Sequence, residues 1–197
     1  MEMHRDSPRS ANSARLKRGP FLTPIWLSVL GVLLMLGFLG LEAWVWVTAD
    51  STMIIVVRHA EKVSGDSRDP PLAPAGEARA ALLAGMFGNA REPGHIEAIY
   101  VTDTVRNRMT AAPLAASLGL TPSVVSMKDA GGFARRIIRE HEGGRVLVVG
   151  HADTMPALVA SLTGAKNLPP IADDEYGTMY IVTVPRIGRA DFLRITY

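Results

Sequence analysis

Thr52-Met53-Ile54-Ile55-Val56-Val57-Arg58-His59-Ala60-Glu61-Lys62 is the stretch from which the fold of this 197-residue chain can be read. Met53 to Val57 is an unbroken apolar run rich in β-branched side chains. Such a run predicts a strand buried on both faces of a sheet. It ends abruptly in Arg58-His59-Ala60-Glu61-Lys62. In an open α/β sheet the ligand crevice lies beyond the carboxyl ends of the strands. A guanidinium and an imidazole leaving this strand side by side are therefore placed where a ligand would sit. An Arg-His pair alone is common on protein surfaces. Its meaning depends on what the other strand ends bring to the same crevice.

Upstream of the strand the chain changes character twice. Residues 1–20 are polar and basic, with Arg5, Arg9, Arg15, Lys17 and Arg18 against Glu2 and Asp6. Ile25 to Leu41 then runs seventeen residues without a charge, and the wider span 21–47 contains only Glu42. A helix needs about 20 apolar residues to cross the hydrocarbon core. Trp26 at one end and Trp44 and Trp46 at the other fit the interfacial belts. A core helix of this length would show a polar stripe. The expectation is a retained single-pass anchor over 21–47. Its basic flank keeps the N-terminus cytoplasmic and sends the following domain across the membrane. A cleaved signal peptide, with Val47-Thr48-Ala49 as a small-residue site, is the competing reading. Gly31, Gly37 and Gly40 form no Gly-x-x-x-Gly, so dimerisation through the anchor is not indicated, and the oligomeric state stays open.

Downstream, strand and helix patterns alternate. Gly65, Pro70, Pro71 and Pro74 mark a loop. A helix is expected over 75–87, a strand over 96–102, and a helix over 104–118 that Pro113 should kink. A short strand over 123–127, a helix over 131–141 and an apolar strand over 145–150 follow. Asp153 or Thr154 should cap a helix reaching about Leu162. After a loop over 164–177, strands over 179–184 and 192–196 close the chain. This alternation predicts a three-layer α/β/α domain over 51–197, with a mostly parallel sheet and an antiparallel pair at one edge.

Composition narrows the chemistry. With no cysteine, disulfides, thiol catalysis and cysteine metal sites are excluded. The five histidines, at 4, 59, 95, 141 and 151, fall in no close metal-ligand spacing, so no metal site is expected. Residues 51–197 carry sixteen Lys and Arg against fifteen Asp and Glu. So balanced a domain is not a nucleic-acid binder by bulk electrostatics.

Three strand ends carry chemistry. The first delivers Arg58 and His59. The second leads into Thr102-Asp103-Thr104-Val105-Arg106, with Arg106 in the first turn of a helix, where it reinforces the positive helix terminus. The third is Val149-Gly150-His151-Ala152-Asp153, again strand, histidine, helix start. Two histidines, two arginines and two helix N-termini converging on one crevice make an anion site, with phosphate the natural candidate. His4, His95 and His141 are assigned no function.

With these pieces the sequence resembles the histidine phosphatase superfamily and its phosphoglycerate-mutase-like fold. The matching segments are Arg58-His59-Ala60-Glu61, Asp69-Pro70-Pro71-Leu72-Ala73-Pro74-Ala75-Gly76, Tyr100 through Arg106 to Thr110-Ala111, and Gly150-His151. Without a large insertion, the chain looks like the short bacterial members, such as the phosphohistidine phosphatases. The resemblance implies that His59 is the nucleophile and that Arg58 and Arg106 clamp the phosphoryl oxygens. His151 would add a hydrogen bond and positive charge as transfer proceeds. The nucleophilic imidazole must be neutral at one nitrogen, the other being held by a backbone carbonyl. Phosphoryl transfer is mostly positioning and charge neutralisation, so four such groups can act without a metal or cofactor.

The general acid is open at this level. The Trp-Glu-Gly context of the mutases is absent. Asp153 stands one residue past the position used by another branch, and serves as acid or as helix cap. Asp129, Glu61, Asp103 and Asp173-Asp174-Glu175 are further candidates. The expected function is a membrane-anchored phosphatase acting on a small phosphorylated substrate. A phosphoglycerate-type phosphomutase, or a non-catalytic phosphate-ligand-binding membrane protein, are the alternatives.

Overall fold

The computed structural model describes residues 23–48, 51–65, 67–90 and 94–197. The basic tail expected over 1–20 lies outside them, as does Ala49 of the small-residue cleavage site. The chain divides into two compact units, Met1–Val47 and Thr48–Tyr197.

In the first unit the sequence forms one helix, α1, Thr23–Thr48. Within it Ile25–Val45 is long and apolar enough to cross a membrane, and none of that span is buried. Side chains from Ile25 to Trp44 stand exposed, unlike those of a core helix.

In the second unit the elements are β1 Ser51–Arg58, α2 Pro74–Phe87, β2 Ala98–Thr102, α3 Val105–Leu118, β3 Ser123–Val125, α4 Ala130–Glu140, β4 Arg145–Gly150, α5 Met155–Thr163, β5 Thr178–Pro185 and β6 Asp191–Thr196. The six strands form one sheet in the order β3-β2-β4-β1-β5-β6. β1 pairs in parallel with β4, and β2 with both β4 and β3. β5 joins β1 antiparallel, and β6 joins β5 antiparallel. The expected mixed sheet with an antiparallel edge is the observed one.

Why the β1 run is apolar at every position is visible in the packing. Ile54 and Val56 face one core with Ile137 of α4 and Leu158 of α5. Ile55 and Val57 face the other with Leu83 of α2 and Leu114 of α3. Each fully buried side chain of this kind contributes about 1.5–3 kcal/mol. β1 is thus central, and its carboxyl end, with that of β4, opens into one crevice.

Element ends move by a few residues from expectation. α3 runs through Pro113 without interruption. Of the two cap candidates of α5, Asp153 is not the one used. Thr154 holds the N-cap position, and its hydroxyl bonds back to His151, accepting from the His151 N–H at 3.1 Å. Asp153 is left exposed.

Candidate active site

His59 follows β1 directly, and its N–H donates to the Gly150 carbonyl at 3.0 Å, tying the ends of β1 and β4 together. Its Nδ1 lies 2.8 Å from the Ala60 carbonyl. A carbonyl only accepts, so Nδ1 carries the proton and Nε2 keeps its lone pair. Ala60 is itself fixed. Its N–H donates at 3.0 Å to the Thr110 hydroxyl, which donates at 2.8 Å to the Arg106 carbonyl. The turn after His59 passes tightly against α2, where a Cβ on Gly76 would lie 2.1 Å from the Glu61 carbonyl oxygen. Only glycine permits that approach.

Burial lowers the pKa of His59 to about 4, helped by the charges of Arg106, His151 and Arg58 against the lift from the Ala60 bond. Near neutral pH the ring is therefore uncharged and able to attack. His151 is also pushed down, first by burial and then by Arg106. The two imidazoles stand edge to face with ring centroids 5.3 Å apart. Both feel Arg58 and Arg106. The four expected residues thus lie close enough for each imidazole to feel the other groups' charges or ring.

The arginines are held differently. Arg58 is only 5% exposed. Its Nη1 donates to the carbonyls of Ala172 (2.6 Å) and Glu175 (3.1 Å), and its Nη2 to that of Asp173 (2.8 Å). Tyr176 covers its plane at 4.3 Å and stands 5.9 Å from the His59 ring. Arg106 reaches the Asp69 carboxylate at 3.4 Å. Asp69 also accepts from the Val105 N–H at 2.9 and 3.1 Å, so its carboxylate takes the first amide of α3. The Nε–H groups of Arg58 and Arg106 are buried without a partner, and so is the Thr104 hydroxyl. Donors left this way cost free energy unless something accepts from them. A cavity of about 480 Å³ opens beside His151, lined by Thr102, Thr104, Ser126, Met127, Lys128 and Thr154 among others.

The candidate acids separate on their partners. Glu61 is gripped by Arg79 at 2.6–3.0 Å, which holds its pKa below the usual range. Asp129 caps α4 by accepting from the Gly132 N–H at 2.8 Å. Asp103 pairs with Arg108. Glu175 accepts from Thr178 and Arg194, both at 2.7 Å. Asp153 makes no such bond among the described residues, and its charge acts on His151. Also among the described residues, no three His, Asp or Glu side chains gather to hold a metal ion.

Sequence reasoning missed the residues that hold these groups. Thr110 and Asn107 are wholly buried polar side chains within α3. Their spacing from Arg106 was a signal that went unused. The carbonyls of Ala172, Asp173 and Glu175 carry no signal at all, since every residue has one.

Residues 54–129 match the family model described as histidine phosphatase superfamily (branch 1). No curated protein sequence matches the chain. Among solved structures, the protein histidine phosphatase SixA complexed with tungstate is 20% identical, covering 73% of this chain and 96% of that one at a TM-score of 0.61. A mycobacterial glucosyl-3-phosphoglycerate phosphatase is 14% identical, covering 75% and 98% at a TM-score of 0.57. A protein called mycobacterial hydrolase 2 is 16% identical, covering 75% and 91% at 0.55. At these identities the likeness to solved structures is one of fold.

Proposed function

We propose that the domain is a member of the histidine phosphatase superfamily, whose model matches residues 54–129, and that it is a metal-independent phosphatase whose covalent intermediate forms on His59. One observation carries the reading. A neutral imidazole with its Nδ1 proton held by Ala60 lies within the electrostatic reach of Arg58 and Arg106, whose buried Nε–H groups have no partner. That arrangement suits a nucleophile opposite a phosphoryl group.

The His59 Nε2–P bond forms as the P–O bond to the leaving group breaks. The departing oxygen takes a proton, and the phosphorylated ring keeps its Nδ1–H on the Ala60 carbonyl. Arg58 and Arg106 hold the phosphoryl oxygens, and His151 adds a hydrogen bond. Water then attacks phosphorus, the N–P bond breaks, and inorganic phosphate leaves a neutral His59. Asp153 passes the proton to the leaving oxygen. Asp153→Asn is expected to slow esters of poorly acidic alcohols about 10²-fold and p-nitrophenyl phosphate hardly at all. Equal slowing of both substrates removes Asp153 from this role.

The substrate is a small phosphate monoester or a phosphohistidine, with its leaving group in the cavity beside His151. Ile25–Val45 anchors the enzyme in the cytoplasmic membrane with the domain outside the cytoplasm. What supports the anchor is the exposed apolar length of α1, and what supports its direction is the basic sequence before it.

Rapid quenching with a ³²P-labelled ester tests the chemistry. Acid-labile label on the chain, absent in His59→Ala, is the expected result. Tight phosphate binding without label or turnover replaces the enzyme with a phosphate-ligand-binding protein. Protease accessibility of the domain on intact cells tests its side of the membrane.

A further inference from the structure

What holds His151 differs from what holds His59. Its Nε2 lies 2.8 Å from the Thr102 hydroxyl. Behind Thr102 stands Asn107, fully buried. The Asn107 Nδ2 bonds the Thr102 hydroxyl and, at 3.3 Å, the Val149 carbonyl. That carbonyl favours one orientation of the amide, in which the Asn107 Oδ1 is buried without a partner. The Val149 carbonyl only accepts, so the atom facing it must be N–H. Reversing the amide would set two buried acceptors against each other, at about 1–3 kcal/mol.

With Asn107 donating, Thr102 Oγ1 already accepts one hydrogen bond. The hydroxyl's own proton then goes to His151 Nε2. If Thr102 accepted from His151 as well, its proton would have no protein acceptor among the described residues and would be left to the cavity that Thr102 lines. Nε2 is therefore an acceptor, and the ring's single proton sits on Nδ1.

We infer that Asn107 and Thr102 are positioning residues that fix His151 in its Nδ1–H tautomer, so that it meets the phosphoryl group as a neutral N–H donor. The inference rests on the reading of His151 as a phosphoryl ligand. It also fixes what His151 does not do. An imidazolium would carry a second proton on Nε2, against a hydroxyl with no other protein acceptor for its own among the described residues. His151 therefore donates a hydrogen bond without surrendering a proton, and the leaving oxygen is protonated from another source.

The test is ¹⁵N NMR of the ring nitrogens, on the full chain in detergent micelles at neutral pH, with His151→Gln to assign the signals. The expected wild-type pattern is Nδ1–H. In Thr102→Val, a mixture of tautomers is expected, because the remaining donor to Nε2 is Asn107 at 3.4 Å. kcat on p-nitrophenyl phosphate falls about 10- to 100-fold there, with KM within about twofold, and Thr102→Ser restores both readouts. An Nε2–H wild type overturns the inference. So does a Thr102→Val chain with a single unchanged tautomer and an unchanged rate. Nδ1–H in a chain that turns over no phosphate ester keeps the relay and ends the phosphatase reading, whereas turnover with Nε2–H ends the relay alone.

Discussion

β1 and β4 lie side by side at the middle of the sheet and each ends in a histidine, yet the two rings are held by opposite nitrogens. His59 gives its Nδ1 proton to a main-chain carbonyl one residue away. His151 has its Nε2 bonded by a side chain from β2. The first grip is local and needs nothing from the residue it uses, since any residue supplies a carbonyl. The second depends on two particular side chains, Thr102 and Asn107. A nucleophile must free Nε2, the nitrogen farther from the backbone, and a local carbonyl does that. A ligand to the phosphoryl group needs only an N–H in the right direction, and a relay through neighbouring elements can supply it.

The sharpest way to break this comparison is to remove each ring in turn. His59→Ala is expected to lose about 10⁴-fold or more in kcat, since the covalent step proposed for this ring loses its nucleophile. His151→Ala is expected to lose about 10²- to 10³-fold, the usual scale for one charge-stabilising donor, and to retain a trapped phosphoenzyme. Steady-state kinetics with single-turnover quenching separates the two. Equal losses would mean that the rings do not divide the work this way.

The next effect is electrostatic. Arg106 depresses both imidazoles, after burial in each case. Arg106→Gln should therefore raise both pKa values and weaken substrate binding, with KM up about 10-fold or more. The sign follows from the attacking form. His59 is neutral above its pKa of about 4, so the acid limb it sets on kcat/KM lies near that pH and moves upward in the variant. Proton NMR titration of the two rings checks it. An unmoved titration would place the guanidinium away from the imidazoles.

How much of this was legible follows from where each signal lies. The β1 run announced a doubly covered strand because its alternate residues serve two cores, and Arg58, His59, Arg106 and His151 stood out as charged or ionisable groups at strand ends. Their grouping followed from topology. The supports were hidden for different reasons. Asp69 caps α3 from 36 positions away, which no local pattern records. Arg58 is fastened by three carbonyls of a loop, and carbonyls are common to all residues. Asn107 and Thr110 are ordinary polar letters in a helix, and only their burial reveals that they have work inside the protein. Two cap formers stand together at Asp153 and Thr154, so the sequence left the cap of α5 open between them, and Thr154 is the one at the N-cap position.

The smallest expected effect concerns Glu61, two residues beyond His59 and a candidate acid by position alone. In the structure it is a strut. Arg79 bonds both its oxygens, and the same guanidinium bonds the Tyr197 carbonyl. The strut therefore joins the turn after His59, helix α2 and the end of the chain. Partly exposed pairs of this kind contribute about 1 kcal/mol or less. Because the Arg79 hydrogen bond lowers the folded pKa of Glu61, its stabilisation is present above the ordinary carboxylate range and lost as pH falls through the lowered folded value. Glu61→Gln should accordingly lower Tm by a few degrees near neutral pH, with the gap closing in acid as the wild-type carboxylate is protonated. kcat should change by less than about threefold, because an anion clamped by an arginine is a poor source of protons. A large loss of kcat with unchanged Tm would return Glu61 to the chemistry, and with it a third functional group to the end of β1.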